Sequence, residues 1–203
     1  EILKMFVEKI VVHNLTASET DEELFEDNPQ DYIRKDFEGN DQDTRRRCAC
    51  DLVRGLLKFF HAETTDLCVG YIGAMLEDYT KSGSSNWKSK DAALHLVLAV
   101  SATSVSSTLG AGTLNTSVNL MDVFQSHVLP EVYDNDVSSR PIVKADSIKL
   151  ICLFRSHLGL DFMLSILPHI TRHLMSENIV IQTYAAICIE RFLTVKDKTV
   201  SGS

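Results

Sequence analysis

The sequence predicts an all-α fold built as an α-α superhelix, and three observations carry that prediction. Apolar residues recur at helical spacing in one segment after another, with only four prolines in 203 residues. No stretch alternates apolar and polar residues as a half-buried strand would. Small residues recur in corresponding helices: Ala49, Ala92, Ala145 and Ala185 lie 43, 53 and 40 residues apart. A period near 40 to 47 with paired helices fits HEAT or armadillo repeats, in which a small side chain lets neighbouring helices approach closely. The whole of 1–203 then reads as a fragment of a right-handed solenoid of about four repeats.

The elements follow in order. Ile2, Leu3, Phe6 and Ile10 mark an opening amphipathic helix to about Asn14. An acidic insert at about 18–43 comes next, with short helical turns expected at Asp21 to Phe25 and at Pro29 to Lys35. Pro29 suits a first helical position, where its missing N–H would be unpaired in any case. Asp43 or Thr44 caps a helix to about Phe60, whose stripe is Leu52, Val53, Leu56, Leu57, Phe59 and Phe60. A helix over about Thr65 to Lys81 ends at a Ser-Gly-Ser-Ser turn, and Asn86 caps the next, Trp87 to about Thr103. From Ser104 to Ser117 the residues are mostly Ser, Thr, Gly and Ala, so little surface is available to offset ordering and a mobile loop is expected. Helical pattern resumes over about Val118 to Tyr133, then from Pro141 to His157, where Gly159 ends it. Two more helices, Asp161 to Met175 and Asn178 to Val195, close the array.

Charge is distributed unevenly. Between Glu19 and Asp43 eleven acidic residues face only Arg34 and Lys35, a local charge of −9 in a chain of net charge −8. A single-sign block steers a basic partner over roughly a Debye length, about 8 Å at physiological salt, and disfavours nucleic acid as the main ligand. The five cysteines are odd in number, and Cys48 and Cys50 point about 200° apart on a helix. All five read as reduced core residues of an intracellular protein. No apolar run reaches the roughly 18 to 20 residues of a membrane span and no secretory signal opens the chain, so neither membrane insertion nor export is expected. The chain also opens inside an amphipathic pattern without an initiator Met, which suggests a piece of a longer protein.

Enzyme chemistry finds little support. His169 and His173 stand at i and i+4 with Glu177 a further four on, a metal-like spacing that lacks the HExxH order. Leu109 to Thr113 has the glycines of a phosphate loop but neither its Lys-Ser/Thr nor a preceding strand. No catalytic residue, cofactor or metal site is assigned. Asp51, Asp91 and Asp146 stand near the starts of corresponding helices, with Arg54 and Lys149 three residues after two of them. These suit a polar ladder between successive repeats. Arg45, Arg46 and Arg47 oppose the helix macrodipole and need compensation, from the insert's own carboxylates as an internal latch or from partner acids. Trp87 is expected to pack between repeats.

The strings FEDNPQDYIRKD, DTRRRCACDLVRGLLKFF, NWKSKDAALHLV, PIVKADSIKLICLFRSHL and TYAAICIERFLTV, in this order, resemble the central part of the exportin-2 family within the importin-β superfamily. The resemblance spans nearly the whole chain except the 104–117 loop and the tail. It implies a HEAT-repeat receptor that binds importin-α as cargo together with Ran in the GTP state, passes nuclear pore proteins, shuttles between nucleus and cytoplasm, and is no enzyme. It further implies that the insert contacts Ran and takes part in switching. The matching positions are Glu26, Asp27, Asp31, Asp36, Glu38, Asp41 and Asp43, followed by Arg45, Arg46 and Arg47. The alternative from another class is a HEAT scaffold for a stable assembly, such as a phosphatase scaffold, without Ran dependence.

Overall fold

The structure is a computed structural model that describes residues 1–37, 44–136 and 140–195. Helix α1 comprises Ile2–Met5, a π-helical stretch Phe6–Val12 and His13–Leu15. The insert forms α2 (Glu19–Asp27) and α3 (Pro29–Asp36). Then come α4 (Arg45–Phe59), α5 (His61–Lys81) and α6 (Trp87–Ser101). Helix α7 comprises Leu120–Val123, a π-helical stretch Phe124–Val128 and Leu129–Tyr133. The last three are α8 (Pro141–Leu158), α9 (Leu160–Arg172, continued by a 3-10 turn His173–Met175) and α10 (Ile179–Leu193).

The helix starts are chemically specified. Ser18 and Asp21 form a reciprocal capping box on α2, and Asn28 caps α3 with Pro29 in its first turn. The Thr44 side chain accepts from the Arg47 N–H, and Asn178 caps α10. Asn86 precedes α6 as expected but does not cap it with its side chain. Its amide donates instead to Asp78 Oδ2 (2.5 Å) across the turn. Helix α5 starts earlier than expected, at His61, with only Phe60 between it and α4.

The helices form two layers. An inner row, α4, α6, α8 and α10, packs helix against neighbouring helix, and α1, α5, α7 and α9 pair with it from outside. The outer row is tied by polar contacts: Tyr71 Oη donates to Glu8 (3.1 Å), Tyr79 Oη to Glu131 (3.0 Å), and His173 Nε2 to the Val132 carbonyl (2.8 Å). This is the all-α array of paired helices that the periodicity predicts. Helices α6 and α8 are buried almost all round, 12 of 15 and 15 of 18 residues, because a third layer covers the inner row. That layer includes the insert.

Two further sequence expectations change. Where a mobile loop is expected, residues 102–114 form a small hairpin, β1 (Val105–Ser106) antiparallel to β2 (Gly110–Ala111), with a further bridge from Ala102 to Leu114. The anchor is external to the segment: Arg155 donates to the Thr108 carbonyl (2.6 Å) and His157 to the Ala111 carbonyl (3.0 Å). Local composition could not reveal that support. The second change is Cys48, which is exposed, whereas Cys50, Cys68, Cys152 and Cys188 are buried.

Gly110 fixes the hairpin's approach to α8. Its φ is +85° and a Cβ there would sit 2.6 Å from the Leu153 carbonyl oxygen. Gly110→Ala is therefore expected to destabilise the hairpin by about 2 kcal/mol or more, combining left-handed strain with a steric shift. Gly83→Ala, at φ +61° but in open space, should show only the strain, about 1 kcal/mol. Hydrogen exchange at residues 102–114 and at the 82–85 turn compares the two.

Candidate functional site: an insert latched to a buried polar ladder

Each inner helix presents polar side chains to the face that the insert covers. From α4 comes Arg46, from α6 Asp91 and His95, and from α8 Asp146 and Lys149; α10 adds Tyr184. Arg46 Nη2 donates to Asp91 Oδ2 at 2.6 Å, joining α4 to α6. His95 Nδ1 lies 3.0 Å from the Asp91 carbonyl, and its Nε2 lies 3.3 Å from Lys149 Nζ and 3.4 Å from Arg46 Nη1. Lys149 Nζ lies 3.4 Å from Asp146 Oδ1. The ladder expected from Asp91, Asp146 and Lys149 thus forms, with Arg46 and His95 as members that the sequence reading did not assign to it. Asp51 and Arg54 stay outside it as an i,i+3 pair on α4 (2.8 Å).

The insert closes over this row. Asp36, the last residue of α3, accepts from Lys149 Nζ at 2.8 Å on both oxygens and from Tyr184 Oη at 2.6 Å. Phe37 packs on the Tyr184 ring, with centroids 4.8 Å apart. Phe25 and Tyr32 meet edge to face at 5.0 Å and hold α2 against α3. At the other end Asp21 accepts from Arg45 (3.0 Å), and Glu22 pairs with Lys88 at the start of α6. Arg45 also donates to the His13 and Thr16 carbonyls, bracing the end of α1.

The expected site residues therefore divide. Asp36 and Arg46 turn inward, the first as the insert's anchor and the second as a rung of the ladder. Glu26 and Asp27 are exposed, and Asp31 is half-buried and paired with Lys35 (2.8 Å). Arg45 serves as an internal latch, and Arg47 is exposed beside it. Glu38, Asp41 and Asp43 lie outside the described residues. Tyr184 was missed because nothing in its own helix marks it; its partner is 148 residues away.

Among the described residues, Asp91, His95 and Asp146 bring ligand atoms within 4.8 Å of one another. The electrostatics there suit a ladder better than a cation site. Arg46 and Lys149 already supply positive charge, and both face the His95 nitrogen that a metal would need. His169 and His173 also separate: His173 is committed to Val132, while His169 packs at a tilt against Tyr133 (4.4 Å) and contacts Arg172.

Titration of the ladder has a defined sign. Burial pushes the Asp146 carboxyl up to about 7 against the opposing pull of His95 and Lys149, with Asp91 and Asp36 raising it further. Asp36 is held well below the usual carboxylate range: burial opposes this, but Lys149 and His95 prevail. The Asp146 contribution is present in full below pH 3.8 and is lost as pH rises towards 7. The Asp36 contribution is present above pH 3.8 and is lost as pH falls below it. Insert protection measured by hydrogen exchange, corrected for intrinsic rates, is expected to decline between about pH 4 and 7, and Asp146→Asn should flatten that decline.

Comparison with known proteins agrees with this architecture. A family model described as Cse1 matches residues 1–189. The chain belongs to the Cse1 family. Exportin-2 from Homo sapiens and from Xenopus laevis are each 44% identical to it over 194 residues, which is 96% of this chain and 20% of theirs. The solved structure titled "The exportin Cse1 in its cargo-free, cytoplasmic state" matches with a TM-score of 0.88 at 32% identity, covering 94% of this chain and 21% of that one. The chain therefore spans about a fifth of the Cse1-family proteins it matches, and its fold is their helical-repeat fold. Among the described residues, no helix is long and apolar enough to cross a membrane.

Proposed function

We propose that this Cse1-family segment is the central part of a nuclear export receptor that binds importin-α cooperatively with Ran in the GTP state and returns it to the cytoplasm. The similarity to exportin-2 chains over almost its whole length supports this reading over a Ran-independent scaffold. The receptor acts by binding, not by catalysis, engages nuclear pore proteins through its other repeats and shuttles between nucleus and cytoplasm. Cargo and Ran would favour the same curvature of the array, a coupling typically worth about 1–3 kcal/mol.

The observation that carries a local role is the insert's anchorage: one carboxylate, Asp36, is bonded to α8 and α10 at once. Successive repeats bridged this way cannot change their mutual angle without breaking or stretching those bonds. The insert accordingly acts on the curvature equilibrium through Asp36, with Arg46 of α4 beneath it, while the exposed Glu26 and Asp27 and the half-buried Asp31 would meet basic residues of Ran.

The test is Ran·GTP affinity of the full-length receptor, with and without importin-α. Glu26→Ser/Asp27→Ser/Asp31→Ser should weaken Ran·GTP about equally in both conditions and flatten its salt dependence. Asp36→Ala should instead alter the cooperativity between Ran and cargo. Unchanged affinity and cooperativity in both variants would reduce the insert to a spacer, and no preference for Ran·GTP over Ran·GDP in the parent would overturn the transport reading.

A further inference from the structure

A cavity of about 300 Å³ opens between the end of the insert, α4, α6, α8 and the hairpin. Its lining includes the cationic Arg46, Arg54 and Lys149 and the apolar Phe37, Leu98 and Leu153. Asp36 and Asp51 also reach it, but Asp36 is engaged by Lys149 and Tyr184, and Asp51 by Arg54 Nη1. Two donors are left over. Among the described residues, the Nε–H groups of Arg46 and Arg54 are buried without a hydrogen-bond partner, and Arg46 is only 8% exposed. Asp21 Oδ2 is 3.9 Å from Arg46 Nε, beyond hydrogen-bond reach. Buried guanidinium donors rarely go unpaired, and the acceptors that match them best are oxyanions.

The geometry points to a docking site for an extended acidic segment of a partner protein, with carboxylates at i and i+4 flanking an apolar residue at i+2. Arg46 and Arg54 are eight residues apart on one helix, so about 12 Å separates them along its axis. Four residues of extended chain span about 13 Å, and i, i+2 and i+4 project to one side. The two acids then meet the two arginines, and the residue between them meets Phe37, Leu98 and Leu153. The inference is independent of Ran and of the insert's exposed carboxylates.

The experiment is fluorescence anisotropy with the full-length receptor and labelled, end-capped peptides Glu-Ser-Leu-Ser-Glu, Gln-Ser-Leu-Ser-Gln and Glu-Ser-Ser-Ser-Glu. The first should bind at least tenfold more tightly than the second and several-fold more tightly than the third, and weaken as salt rises. Arg54→Ala should reduce its affinity at least fivefold, and Arg54→Lys should restore part of it; Lys58→Ala should change nothing. Equal binding of the Glu and Gln peptides, or an affinity indifferent to both Arg54 variants, would overturn the site. So would binding seen only after Glu38, Asp41 and Asp43 are changed to Ser, because the chain's own carboxylates would then hold the cavity.

Discussion

Asp36→Ala in the full-length receptor is expected to release the insert, at a cost of about 3–5 kcal/mol. The carboxylate neutralises Lys149, whose side chain is 5% exposed, and accepts the Tyr184 hydroxyl as well. Alanine would leave a buried ammonium with only the 3.4 Å contact to Asp146 and the 3.3 Å approach to His95 Nε2, together with an unpaired hydroxyl. The affected region is local, since α3 rests on the inner row by few other polar contacts. Hydrogen exchange over residues 29–37 should speed up by two powers of ten or more, as 1.4 kcal/mol corresponds to a factor of ten. Asp36→Asn keeps the shape and an acceptor and should fall between. Asp31→Ala removes only a partly exposed pair with Lys35 and should shift exchange by less than threefold. If Asp31→Ala and Asp36→Ala behave alike, the latch is not where the bonds place it.

Arg46→Ala is the second large effect, also expected at about 3–5 kcal/mol. Asp91 is 0% exposed and would lose the guanidinium at 2.6 Å, while its Oδ1 already lacks a hydrogen-bond partner. His95 Nε2 would lose its 3.4 Å neighbour Arg46 Nη1. The damage joins α4 to α6, so it should appear as earlier unfolding of the central repeats in a denaturant titration, not as insert release alone. Arg45→Ala offers the contrast: its pair with Asp21 is one-third exposed, and the expected change is about 1 kcal/mol or less from that pair. The double change Arg46→Met with Asp91→Leu should recover much of the loss, because replacing a buried pair by apolar groups avoids leaving one charge stranded.

These two side chains also show how much of the site was legible. That Arg46 needs a compensating carboxylate follows from its place at a helix start, but the insert expected to supply it pairs with Arg45 through Asp21, while Arg46 pairs with Asp91 of α6. That Asp36 differs from Asp27 or Asp31 is not visible locally, since all three are acids in one helical, acidic segment. Burial separates them, and burial depends on α6, α8 and α10. The hairpin at 102–114 has the same logic. Its Ser/Thr/Gly composition argues against self-contained order, yet Arg155 and His157, more than 40 residues on, supply the contacts that hold it.

By itself the sequence determined the helical class, the pairing of helices, most helix ends and the resemblance that places the chain among Cse1-family receptors. Those features rest on periodicity, capping and repeat spacing, which act within a few turns of the chain. Only the tertiary structure decided that an acidic insert would be a covering layer with one inward carboxylate. A charge is exposed or buried according to what other helices bring against it, and here the deciding residues, His95, Lys149 and Tyr184, are separated from Asp36 by up to 148 positions.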